Sequence, residues 1–399
     1  MKLLSISTVV PYDKIGHAGG KTYNYYMKSL AQDADIDLHI TAFSRKSDLG
    51  LYDLTDYQIP NTIILSSGDL ATNIKRILLD ILGRGEEYGS LFSQYKRHCI
   101  LKALGKMEQQ NQLPDVIQLE WTEMVLLAKD IKERYPEIKL IASEHDVSFL
   151  GAQRKMQRHP GNKKYAREYA LIRRLELEAL QLCDVAMPQN EKDKALLVEN
   201  GIPEEKIHVL TPFYHDMRHI VRKKPNQDIL FWGAMYRPEN YEAAIWFIEN
   251  VMPLLSDLPI RFIVAGNRPP EQLKKYADDR VVITGFVEDE TPLFESSMCF
   301  VSPLQTGAGI KVKVIEALSA GIPILTNSIG IEGIPAVNGE SYFHCEKAEE
   351  YAEIIRKIFL KQIDVTSIET SQRLLIKRHF DLQESLKKYI NTLELLVTV

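Results

Sequence analysis

The segment VSPLQTGAGIKVKVIEALSAGIPILTNSIGIEGI, Val301 to Ile334, carries the change of periodicity that decides the fold. Val301 and Ser302 close an apolar run of strand character, Gly307 and Gly309 follow, and from Lys313 to Ala320 the spacing is helical. A strand that hands over to a helix in this way is half of a βαβ unit. The same handover suits anions, because glycine lets backbone N–H groups approach a ligand and the first amides of a helix favour negative charge. Lys311 and Lys313 add positive charge there. Glu316 stands one turn in, where a carboxylate can accept hydrogen bonds from sugar hydroxyls. The stretch therefore asks for a ligand with both phosphates and hydroxyls.

The alternation continues outward on both sides. Short β-rich runs recur between helical periods, the sequence form of parallel strands covered on both faces. Strands are expected at Lys2–Thr8, Asp37–Phe43, Thr62–Leu65, Val116–Leu119, Lys139–Ser143, Val185–Pro188 and Ile207–Leu210. A second set is expected at Asp228–Trp232, Arg261–Ala265, Val281–Thr284, Cys299–Pro303, Pro323–Thr326 and Tyr342–His344. Among the helices, Asn190 is placed to cap EKDKALLVEN, which ends at Gly201. The polar, basic stretch His215–Asp228 lacks an amphipathic period and separates the two strand sets, so a domain boundary is expected there. The chain thus reads as α/β with two Rossmann-like domains, 1–215 and 216–375, and a tail, 376–399, in a region largely helical from Ser367 to Leu396. A length of 399 residues suits two such domains.

Composition narrows the function. Hydrophobic residues make up 45% and charged residues 26%, as in a globular protein, and a net charge of −5 gives no general attraction to nucleic acid. Cys99, Cys183, Cys299 and Cys345 lie far apart with no CxxC, which suggests reduced, buried thiols rather than disulfides or zinc ligands. The opening MKLLSISTVVPY lacks a cleavage site, and nowhere do about 18 apolar residues run together, so a cytoplasmic location is expected. Arg154 to Arg174 holds eight Lys and Arg residues against one acid, Glu168. That run reads either as a peripheral contact with the inner face of a membrane or as a solvated basic helix face.

Other strand ends carry candidate groups. Gly16, Gly19 and Gly20 fall between the first strand and a helix expected near Thr22, a loop able to present amides to an anion. His145 and Glu120 follow two strands at the carboxyl edge, where open α/β sheets bind ligands. Glu120 is a candidate contact for an acceptor. Gly233, Gly266, and Gly285 with Phe286 and Val287 end strands of the second set, and Arg237 follows the first of them. Asp278-Asp279 and Glu288-Asp289-Glu290 read as acidic loop residues, and no metal is expected.

GAGIKVKVIEALSAG, with ILFWGAMYRPENYEAAIWF, IRFIVAGNRP and VVITGFVEDETPLFESSMCFVSPL, resembles the donor-binding half of retaining family 4 glycosyltransferases. GHAGGKTYNYYMKSL, SEHDV and LELEALQLCDVAMPQNEKDKALL extend the resemblance into the first half. It implies the GT-B fold: two Rossmann-like domains facing across a cleft, with a C-terminal helix crossing back to the N-terminal domain. The first would be the acceptor-binding domain and the second the nucleotide-sugar-binding one.

The resemblance further implies transfer of a sugar, with retention and without a metal or other cofactor. The donor would be a UDP- or GDP-linked sugar, and the acceptor a glycan or lipid-linked molecule in polysaccharide or cell-envelope assembly. His145, Lys313 and Glu316 would be the catalytic residues. Gly19, Gly20, Gly233, Arg237, Gly266, Phe286, Val287, Gly307, Ala308, Gly309, Ile310 and Lys311 would bind the donor.

Two departures from the family pattern concern charge. Ala308 stands where many members carry a first glutamate, and Gly233 is followed by Ala234, Met235 and Tyr236 rather than by the usual Arg and Lys. Lys313, with Lys311 and Arg237, would then supply the cation for a diphosphate leaving group. Two alternatives share the architecture: a nucleotide-sugar 2-epimerase, and a catalytically inert partner subunit.

Overall fold

A computed structural model describes residues 1–83, 92–222, 225–307 and 309–398. The chain divides into two compact units, Met1–Leu210 with Gln383–Val399, and Thr211–Leu382.

In the first unit six parallel strands form one sheet: β1 (Lys2–Ser7), β2 (Asp37–Arg45), β3 (Asn61–Ser67), β4 (Val116–Glu120), β5 (Lys139–Glu144) and β6 (Val185–Pro188), in the order β3-β2-β1-β4-β5-β6. Alternate residues divide between two cores, as the two-residue period of a strand requires. Leu4, Ile6, Ile117, Leu119, Leu140 and Ala142 join one, whereas Leu3, Ile40, Val116, Ile141 and Val185 join the other.

The second unit repeats the plan with β7 (Asp228–Trp232), β8 (Arg261–Ala265), β9 (Val281–Gly285), β10 (Cys299–Ser302), β11 (Ile324–Thr326) and β12 (Phe343–His344), in the order β12-β11-β10-β7-β8-β9. Ile229, Phe231, Val264 and Val301 face one core; Leu230, Ile263 and Phe300 face the other. Two six-stranded parallel sheets covered on both faces are the expected α/β, doubly Rossmann-like architecture.

Several expectations shift. Ile207–Leu210 is not a strand: Ile207 makes one isolated bridge to Ala186, and the amides of His208 and Leu210 reach carbonyls along β6 before Pro212. The stretch His215–Asp228 does not behave as a free linker. Tyr214, Met217 and Ile220 are buried in the second unit's core. The Arg222 guanidinium donates to the Phe294, Ser297 and Gly321 carbonyls, and its burial pushes it down to about 10. A basic residue can hide in this way because carbonyls satisfy its donors.

The second unit accordingly begins at Thr211 and keeps the helix Val365–His379, whose Leu375 and Ile376 lie in its core. Helix Leu382–Thr398 packs on the first unit: Tyr26 Oη donates to Ser385 Oγ at 2.7 Å, His208 Nδ1 meets Thr392 Oγ1 at 2.7 Å, and Tyr389 Oη donates to Gln118 Oε1. Among the described residues no helix is long and apolar enough to cross a membrane. All four cysteines are free, and three are buried.

The tightest backbone approach lies beyond β8. A Cβ at Gly266 would sit 1.6 Å from the Gly233 carbonyl oxygen, and φ is +146° there. Gly266→Ala must therefore both strain its own backbone and push β7 from β8. Chemical denaturation should show a loss of about 3 kcal/mol or more, whereas Gly50→Ala, with open space around it, should change little.

Candidate functional sites at the strand ends

Each sheet has one place where the crossovers change side, and loops there diverge to leave a crevice beyond the carboxyl ends of the strands. In the first unit it lies between β1 and β4, in the second between β7 and β10.

At the first switch point the chain leaves β1 and enters helix Ala18–Leu30 four residues before the expected start near Thr22. His17 caps that helix, Nδ1 accepting from the Gly20 amide at 3.0 Å. Gly19 and Gly20 therefore belong to the first helical turn rather than to the loop before it. Their value is room: a Cβ at Gly19 would lie 3.1 Å from His145 Nδ1 and 3.4 Å from Trp121 Cζ2, and one at Gly20 would strike Ile15.

His145, just past β5, is held on three sides. Its Nε2 lies 2.8 Å from Glu120 Oε2, the Gln189 amide donates to Nδ1 at 2.6 Å, and the Trp121 ring stacks on it at 4.2 Å and 19°. With Nδ1 accepting, the ring proton sits on Nε2 and points at Glu120. Glu120 itself is buried, and its Oε1 accepts from Gln118. It thus orients His145, with both of its oxygens engaged within the protein.

Trp121 and Gln189 escape a reading by residue type. Trp121 follows Glu120 directly and adopts φ +64°, a left-handed conformation that costs a bulky residue about 1–2 kcal/mol. The aromatic residue in LEWTEM, placed immediately after a strand end, was its available signal. Gln189 had none beyond following β6.

Beneath this cluster lie two buried acids. Thr122 Oγ1 donates to Glu144 Oε2 at 2.6 Å, while Glu144 Oε1 is buried without a partner among the described residues. Glu176 accepts from the Ser148 and Phe149 amides at 2.9 and 2.8 Å. Burial first, then the Glu176 charge, raises Glu144 well above the usual carboxylate range. Burial outweighs the amide bonds and raises Glu176 to about 8.

At the second switch point the loop after β10 leads into helix Val312–Ala320, with Lys311 as its N-cap residue. Lys311 is nearly buried; its Nζ donates to the Gly309 carbonyl and lies 3.6 Å from Glu332 Oε2. Gly307 and Gly309 have φ of +129° and +68°, Ile310 packs on the core, and Ala308 lies outside the described residues.

Lys313 is different. Its Nζ donates to Asn240 Oδ1 and lies 4.8 Å from the centroid of Phe231, and among the described residues no carboxylate comes within ion-pairing distance. Burial, then the Lys311 charge, pushes Lys313 down to about 7. Asn240, which also donates to the Ala234 carbonyl at 2.9 Å, was not foreseen. It sits at the start of helix Pro238–Asn250, beside Gly233.

Glu316 is buried, and its Oε1 accepts from the His215 amide at 3.4 Å. Arg237 pairs with Glu239 and is about half exposed. Gly285 and Gly266 are bonded to each other through N–H and carbonyl at 2.9 Å, Phe286 is 72% exposed and Val287 packs on the core. The second switch point thus gathers Gly233, Asn240, Lys311, Lys313 and the N-terminal turn of one helix, while the first gathers Gly19, Glu120, Trp121, His145 and Gln189.

Comparisons with known proteins agree with this architecture. Residues 226–360 match the family model for Glycosyl transferases group 1. HepE of Anabaena in complex with UDP superimposes over 99% of this chain and 100% of its own, with TM-score 0.68 and 13% identity. Sucrose-phosphate synthase of Thermosynechococcus elongatus does so over 100% of both chains, with TM-score 0.70 and 14% identity. At such identities the likeness establishes the shared GT-B fold. An uncharacterized 44.6 kDa protein in the cps region of Klebsiella pneumoniae is 26% identical over 162 residues, which span 38% of this chain and 39% of that protein.

The buried acids yield a pH prediction. A carboxyl whose folded pKa is raised gives full stability while protonated in both states, and stability is lost as pH climbs from the unfolded value, 4.5, toward about 8. The melting temperature should fall over that window. Glu144→Gln removes one of the two coupled charges, so its melting temperature should fall less between about pH 5 and about pH 8. An equally steep fall would show that Glu144 takes no part.

Proposed function

We propose that this chain is a retaining glycosyltransferase that moves a sugar from a nucleoside-diphosphate sugar to a glycan or lipid-linked acceptor. The observation that carries the reading is Lys313: a desolvated cation without an ion-pairing carboxylate, in the N-terminal turn of a helix at a switch point. Helix amides and a lysine supply preorganised positive charge where a diphosphate leaving group becomes more negative as the sugar bond breaks. The family match over residues 226–360 and the UDP complex of HepE support a nucleotide-sugar donor. The weak match to a cps-region protein favours polysaccharide assembly.

Glu316 is assigned to the ribose hydroxyls. The backbone of Gly285, Phe286 and Val287 is assigned to the base. His145, fixed by Glu120, Gln189 and Trp121, is assigned to hydroxyls of the transferred sugar. Because Lys313 and the helix amides meet the leaving-group charge, transfer should persist in the presence of a chelator.

Calorimetry with UDP and GDP tests the donor site directly. Glu316→Gln should weaken nucleotide binding by about 1.5–3 kcal/mol, the range for a charge-assisted hydrogen bond; unchanged affinity in a folded variant would refute the assignment.

Lys313 makes a further, signed prediction. In the free protein it loses its proton near pH 7, and a bound diphosphate must raise that pKa. Binding should therefore take up a proton at about pH 7–8, read from the dependence of heat on buffer, and affinity should fall as pH rises. Lys313→Met should abolish the uptake and lower kcat about a hundredfold, with a smaller change in KM.

A further inference from the structure

Helix Leu70–Leu82 in the first unit is turned inside out. LATNIKRILLDIL places Leu70, Ile74, Ile77, Leu78, Ile81 and Leu82 on one face by their spacing of four and three residues. That face looks outward: the six side chains are 49–78% exposed. The polar side is bound to the protein. Asp69 caps the helix by accepting from the Thr72 amide at 2.8 Å, and Asp80 accepts from Ser93 Oγ at 2.9 Å and from the Tyr95 amide at 3.1 Å. These bonds fix the rotation of the helix, so the apolar stripe cannot turn into the core. An exposed apolar face of this extent marks a docking surface.

The charge beside it says what docks. Lys75, exposed next to the stripe, also lines a cavity of about 620 Å³ together with Lys2, Lys102, Lys106, His39 and Met107. Asp37 is the one carboxylate among the described residues of its wall. Lys46 adds positive charge near Asp69 at the helix start. Asp80, the only acid within the helix, is tied inward. Lys2 and Asp37 open β1 and β2, so the cavity lies at the end of the sheet opposite to Glu120 and His145.

We propose that helix Leu70–Leu82 is a membrane-contact surface that lies in the plane of an anionic phospholipid bilayer, its leucines and isoleucines at the acyl boundary. The lysines of the adjoining cavity receive headgroup phosphates. The net charge of −5 opposes long-range attraction to such a surface, so binding depends on this local patch. Within the basic run Arg154–Arg174, by comparison, Lys155, Arg173 and Arg174 already have partners in the protein. Lys155 pairs with Glu168 at 3.1 Å, Arg173 donates to Asn200 at 2.6 Å, and Arg174 lies 3.5 Å from Glu178. The proposal stands apart from the donor chemistry.

Vesicle flotation of the full chain tests it. Binding is expected to vesicles of phosphatidylcholine with about a third phosphatidylglycerol, and not to phosphatidylcholine alone. Ile77→Glu with Leu78→Glu should abolish binding while leaving the circular dichroism and melting temperature unchanged, since both positions are exposed. Lys102→Glu with Lys106→Glu should weaken it about tenfold or more. Three outcomes would overturn the proposal: no flotation of the wild-type chain with phosphatidylglycerol; binding that survives Ile77→Glu/Leu78→Glu but not Lys155→Glu/Arg158→Glu; or a wild-type dimer in light scattering that the Ile77→Glu/Leu78→Glu pair converts to monomer.

Discussion

A parallel strand can rejoin its sheet only through a crossover, and where successive crossovers change side, two neighbouring strands send their loops apart. That constraint selects which residues of this chain can do chemistry. In the first sheet it falls between β1 and β4, so the helix of Gly19 and the corner of Glu120 and Trp121 border one crevice. In the second it falls between β7 and β10, where Gly233 and the loop running to Lys313 meet. Glycine is needed there for packing. Gly266 passes the Gly233 carbonyl, and Gly19 leaves space for the ring of His145.

The two crevices use burial in opposite ways. In the first unit, buried titratable groups are held by hydrogen bonds: His145 to Glu120 and Gln189, Glu144 to Thr122, and Glu176 to two amides. Such a network fixes one orientation of the imidazole, and the left-handed backbone of Trp121 is tolerated because its ring completes the fit. A buried polar network of this kind sets geometry rather than stability, since the desolvation of its carboxylates offsets much of what its hydrogen bonds contribute.

Most of the fold was legible in the chain because parallel strands covered on both faces read as short apolar runs, such as DILFW and VIQLE. Ile207–Leu210 misled for the same reason: it is apolar and lies beside β6, but Pro212 follows and pairing stops at a bridge. The stretch His215–Asp228 looked like a linker because it is polar. Within it the Arg222 guanidinium is satisfied by carbonyls that lie distant in sequence. Lys313, Lys311 and Glu316 were visible from their spacing on one helix. Asn240, Trp121 and Gln189 were not, because their roles arise from strand neighbours that local periodicity does not reveal. The outward stripe of helix Leu70–Leu82 has the pattern of a core helix, and only the bonds of Asp80 disclose which way it faces.

Lys311 and Lys313, two residues apart, show how position divides one kind of charge between two tasks. Lys311 reaches back to the Gly309 carbonyl and toward Glu332, so its charge is largely balanced within the loop that it closes. An added anion would gain little from it, because an existing carboxylate already competes. Lys313 has no such pairing among the described residues: it meets the dipole of an amide and the face of a ring, with the charges of Glu239 and Glu316 acting from farther away. The Lys311 charge beside it lowers its proton affinity further. A diphosphate placed against the first turn of helix Val312–Ala320 would relieve both penalties at once, and its negative charge grows along the reaction coordinate. On the proposed reading, Lys313 would therefore be the one of the two lysines whose interaction strengthens most toward the transition state.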